Sequence, residues 1–180
     1  SAADASTITS ATTGIVTAEV TAGTAAALNK ALVDSNGGNN ALKLTVTGAT
    51  AAASDLNGLN TKTTEDVNAT AVNTVTGSLA DLGTFYTAAA DFTLNPTLNA
   101  TVSGVVEIGD ATDLQSLLTS TNITGKVTAT VVSSTAVALV AALANKGAST
   151  DALTLNVFEN KDVATGVVTE TLADDLVKLD

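Results

Sequence analysis

The chain has 180 residues, 45 % hydrophobic content and a formal net charge of −11, enough for one domain with a core of its own. It contains no His, Cys, Met or Trp, and its seven basic residues are all Lys. This composition excludes imidazole bases, thiolate nucleophiles, the usual zinc sites and the bidentate guanidinium clamp for phosphate. The acidity argues against nucleic-acid partners, which need clustered cations, and no run of about 20 apolar residues is present to insert in a membrane.

Residues 1–13 are small and polar and read as an N-terminal lead-in or irregular cap. Val16, Ala18 and Val20 alternate with Thr17, Glu19 and Thr21, which predicts a half-buried strand. A helix is expected over Thr24–Val33 on Leu28 and Leu32, then a loop over Asp34–Asn40. Leu42, Leu44 and Val46 make a second strand that Gly48 ends, and Ala52–Leu59 a second helix. A third strand is expected near Val67–Thr76. A helix from Ser78 to about Tyr86 follows, with Ser78 and Asp81 spaced as a capping box.

Asp91–Val102 is irregular around Pro96, the only proline, although Leu98, Ala100 and Val102 resume the alternation; the strand continues or bends near Gly104. Helices over Asp110–Thr119 and Thr135–Asn145 flank a strand at Lys126–Val132. Leu153, Leu155 and Val157 form a sixth strand and Val167-Val168 a short seventh; Leu172–Leu179 is the last helix.

The helix anchors Leu28, Leu56, Leu82, Leu114, Leu139 and Leu176 recur at intervals of 25 to 37 residues, the signature of stacked supersecondary units. Asn40, Asp66, Asp91, Asn122 and Asp151 each precede a strand, where an Asx side chain can close the turn. Strand–helix alternation implies a parallel sheet. A sheet covered on both faces needs strands that are apolar throughout, whereas Thr17, Thr45, Thr70, Thr101, Thr128 and Thr154 fall on polar-facing positions. The expected fold is therefore an α/β, solenoid-like repeat stack of strand–helix units. Its parallel sheet carries helices on one face and a Thr-rich polar face on the other. Residues 14–180 form a single repeat domain of about six units. An ordinary α/β sandwich and an all-β fold are the competing plans.

A glycine followed by Asp-Leu-x-x-Leu, as in Gly48–Leu59 and Gly109–Leu118, resembles tandem α/β repeats of large secreted bacterial surface and adhesin-like proteins, which are acidic, rich in Thr, Ala, Val and Asp, and poor in Cys and His. The resemblance covers most of residues 14–180. It implies a structural, adhesive or surface-coat role, a secreted or cell-surface location, and association with copies of itself or with neighbouring repeats of a longer chain. The glycine-rich calcium nonapeptide of some such proteins is missing.

No cofactor is expected. Calcium is the one the composition leaves open, with oxygen ligands from Asp34, Asn36 and Asn39 in the Asx-rich loop. The carboxylate pairs Asp110/Asp113 and Asp174/Asp175 are explained by helix starts, and Ser133-Ser134 with Lys146 lacks anything that fixes a dyad; no catalytic residue is assigned. Asn68-Ala-Thr, Asn99-Ala-Thr and Asn122-Ile-Thr match the glycosylation acceptor without further support. The polar sheet face, Thr17, Thr45, Thr47, Thr70, Thr101, Thr128 and Thr130, is the alternative site. It would bind ice, a glycan or a mineral surface.

Overall fold

The computed structural model describes residues 1–33, 38–134, 136–143 and 151–157. The expected seventh strand, the last helix, Lys146 and Asp34–Gly37 lie outside the described residues. The fold is α/β, and every strand pairing is parallel.

Several strands expected to be single are divided in two. The strand expected over Val67–Thr76 is two strands, β4 (Val67–Ala69) and β5 (Thr74–Gly77), separated by a corner. The same division gives β2 (Ala41–Lys43) and β3 (Thr50–Ala52), then β6 (Phe92–Leu94) and β7 (Asn99–Val106). With β1 (Thr17–Glu19), β8 (Val127–Ser134) and β9 (Ala152–Val157) the strands form two ladders. The short ladder pairs β1 with β2 and β4 with β6, joined by a bridge between Thr45 and Asn68. The long one is a five-stranded sheet in the order β3-β5-β7-β8-β9.

Side chains build the corners. Asn68 Oδ1 accepts from the Thr70 amide at 3.2 Å and the Thr70 hydroxyl at 2.8 Å. Asn95 Oδ1 does the same for Thr97, at 2.9 and 3.0 Å. These are Asx turns that replace backbone pairing where the strand stops. Beneath the corners Val72, Leu98 and Ile123 are buried plugs. At the last corner Gly125 is required by close approach: a Cβ there would lie 2.5 Å from Asn99 Oδ1 and 2.8 Å from the carbonyl oxygens of Thr97 and Leu98. Gly104, with φ of 81°, sits where the β7–β8 register shifts, so the expected bend is a bulge.

Six α-helices are described: α1 (Ala2–Ala11), α2 (Ala25–Ala31), α3 (Ala53–Asn60), α4 (Leu79–Thr87), α5 (Ala111–Leu118) and α6 (Ala136–Ala142). None exceeds 10 residues, too short to persist alone in water; packing of one face must hold them. Leu28, Leu56, Leu82, Leu114 and Leu139 are all at most 3 % exposed. Burying each stabilises the fold by roughly 1.5–3 kcal/mol. Consecutive helices pack together: α1 on α2, α2 on α3, α3 on α4, α4 on α5. The irregular lead-in expected at residues 1–13 is thus a helix, started by a reciprocal capping box between Ser1 and Asp4. Its buried face, Ala5, Ser6 and Thr9, is small and partly polar, so no apolar periodicity announced it.

Polar ties link successive strands and helices. Asn40 Oδ1 accepts the Val16 amide at 3.0 Å, and Asp151 Oδ1 accepts the Val127 amide at 2.8 Å. These Asx residues reach the preceding strand, not the turn they were expected to close. On the helix side Asn29 donates to Asp55 and Asn60 to Asp91. Lys62 Nζ donates to the carbonyls of Asn29 and Leu32, both at 2.6 Å, and so caps the C-terminal end of α2.

Candidate binding face

The long sheet turns Ala51, Val75, Ala100, Val127, Ala129 and Val131 into the core, all buried. The alternate residues point away from it. Register places Ala52, Thr76, Thr101, Thr128 and Ala152 side by side in one row across all five strands. A second row runs Thr50, Thr74, Asn99, and a third joins Thr130 to Thr154. Neighbours within a row are roughly 4.8 Å apart and rows roughly 6.6 Å apart. The result is a lattice of hydroxyl and methyl groups.

The chain has 18 acids and seven lysines, yet none falls within β3, β5, β7, β8 or β9. The aromatics among the described residues are elsewhere: Phe85 and Phe92 are buried edge to face, with ring centroids 5.1 Å apart, and Tyr86 is on α4. Asn99 is not free to engage a ligand. Its Nδ2 donates to the Asn73 carbonyl and its Oδ1 accepts the Lys126 amide at 2.7 Å.

The expected threonine face divides accordingly. Thr101, Thr128 and Thr130 lie together on the long sheet. Thr17 and Thr45 lie on the short ladder, and Thr47 and Thr70 at corners, Thr70 bonded to Asn68. Thr154, expected at a polar-facing position, belongs to the face; so do Thr50, Thr74 and Thr76, which were not singled out. Their signal was the spacing of Thr50 to Thr74 and of Thr76 to Thr101, close to one repeat length.

The short ladder is charged where the long sheet is not. Glu19 lies across from Lys43, and Glu65 and Asp66 lie beside them in a shallow depression. Of the calcium candidates, Asp34 and Asn36 lie outside the described residues and Asn39 is exposed. Among the described residues no group of three or more acidic side chains could hold a metal ion. Asp110 caps α5 without a side-chain bond, and Asp113 follows in the first turn. Ser133 and Ser134 end β8. Asn68 and Asn99, two of the glycosylation-type asparagines, are strand residues with bonded side chains.

No protein-family model, curated protein or solved structure matches the chain.

Among the described residues one carboxyl has a clear titration shift. Asp4 is held below the ordinary carboxylate value by hydrogen bonds from the Ser1 hydroxyl and then the terminal amine, with the charge of that amine adding to them. It belongs to the α1 cap, away from the face.

Proposed function

We propose that the chain is a non-catalytic structural repeat protein, a segment of a secreted surface coat, adhesin or appendage. Its strand–corner–strand–helix units stack as a solenoid and associate with copies of themselves or with neighbouring repeats. The observation that carries this reading is chain-order adjacency: strands of the long sheet and helices α1 to α5 each neighbour the element one unit away. Stacking of this kind is how repeat architectures bury a core that no unit could close alone. The missing His, Cys and Arg support a role without catalysis. Sedimentation and electron microscopy across a concentration series test the assembly. Screening with hydrolase substrates tests the rest, since reproducible turnover lost with one carboxylate or serine would overturn it.

A second reading rests on the row Thr76, Thr101, Thr128 and the charge-free strands around it. In this reading the sheet face is a binding surface for ice, a neutral glycan or a mineral. Thermal hysteresis and glycan arrays test it. Thr101→Tyr with Thr128→Tyr should abolish binding at unchanged stability, and a wild-type chain that binds none of these surfaces rejects it.

A further inference from the structure

We infer that the outer edge of β1 is a self-complementary contact through which two copies pair about a two-fold axis, joining their short ladders. This rests on the assembly reading above and names the surface that carries it.

β1 pairs with β2 alone among the described strands. Its flanking bonds fix which way its peptide groups point. The Val20 amide donates to the Lys43 carbonyl, and the Ala41 amide donates to the Val16 carbonyl. In a parallel pair alternate residues bond to one side, so Val16, Ala18 and Val20 face β2. The amide and carbonyl of Thr17 and of Glu19 therefore point outward. That spacing suits an antiparallel partner of the same sequence. With the two-fold at Ala18, Thr17 of one copy exchanges both backbone bonds with Glu19 of the second, and Glu19 with Thr17. The outward edge meets its own pattern without a gap, and the Thr17 hydroxyl lies beside the Glu19 carboxylate of the second copy.

Charge and exposure favour this end. Residues 1–33 hold only Asp4 and Glu19 against Lys30, in a chain of net charge −11. The first unit itself thus adds little charge repulsion between two copies. Three of the four exposed large hydrophobic residues among those described, Ile8, Ile15 and Val33, also belong to this first unit; Ile15 is 70 % exposed. Strand pairing of like edges is the usual fate of an edge left open, and a two-fold contact closes at the dimer.

Thr17→Pro removes an outward amide and leaves the β1–β2 bonds in place. Wild-type chain should pass from monomer to dimer with concentration and stop there. Thr17→Pro should associate at least tenfold more weakly at unchanged melting temperature. Because the chain has no cysteine, Ala18→Cys gives a second readout that does not depend on the proline variant folding. The two Ala18 positions would face each other with Cα atoms about 4.5 Å apart, within disulfide range. Oxidation should then yield a covalent dimer, whereas Thr93→Cys should yield none. Association that survives Thr17→Pro, or an associated Ala18→Cys chain that does not cross-link, overturns the β1 contact and leaves the assembly reading standing. A wild-type chain monomeric at high concentration overturns both.

Discussion

The two ladders share one core and differ on their outward faces. The short ladder carries Glu19, Lys43 and, beside them, Glu65 and Asp66; the long sheet carries threonine and no charge. Both bury Val, Leu and Ala beneath, so the outward difference is not imposed by packing. Among the described residues the acids lie on the short ladder, loops and helices and leave one wide surface neutral. An exposed neutral sheet is normally a liability, which is why that surface invites a functional reading.

The strongest way to break the comparison is to attack the core both ladders share. Phe85→Ala removes a fully buried ring from α4 and its edge contact with Phe92 of the short ladder. A loss of about 3–5 kcal/mol is expected. Calorimetry should show the two ladders melting in one transition; separate transitions would mean they are independent. Gly125→Ala acts on the corner leading into the long sheet. Its Cβ meets three oxygens at under 3.0 Å, so about 1–3 kcal/mol of overpacking is expected in denaturant titrations. Asn40→Ala acts on the short ladder, orphaning the Val16 amide at a cost of about 1–3 kcal/mol. Asn40→Asp, which keeps the acceptor, should recover most of it.

The smallest effect lies outside both ladders. Asp4 titrates below its unfolded value of about 3.9. Its contribution is therefore present above that pH and lost as pH falls through the lowered folded value. Amide exchange in α1 should rise with acid in wild type and stay flat in Asp4→Asn, while both ladders keep their protection.

Helices α3 and α5 were legible because each shows a leucine every turn: Leu56 with Leu59 in α3, Leu114 with Leu117 and Leu118 in α5, all buried. The doubling of the strands was not. Val67, Ala69, Val72 and Val75 are all buried, so apolar positions continue through the corner at Thr70 to Asn73, and the break is made by the Asn68 side chain, not by glycine or proline. Helix α1 was hidden for the opposite reason: its buried residues include Ser6 and Thr9, and the Ser6 hydroxyl is occupied by the Val33 amide. The threonine face was legible by residue type and mislocated by register. A one-ladder reading places Thr45 beside Thr101, whereas the corner sends Thr45 to Asn68 on the other ladder.

The register also makes length a separable quantity. Thr50 pairs with Thr74 and Thr74 with Asn99, so a strand in the long sheet meets its match about one unit along the chain and nowhere else in particular. Inserting or deleting such a stretch of some two dozen residues would lengthen or shorten the sheet by one strand spacing, roughly 4.8 Å, and leave every other pairing as it was. On the proposed stacking of units, the molecule would in genetic terms be a ruler graduated in whole units, its span changed by duplication or loss without a new fold being found.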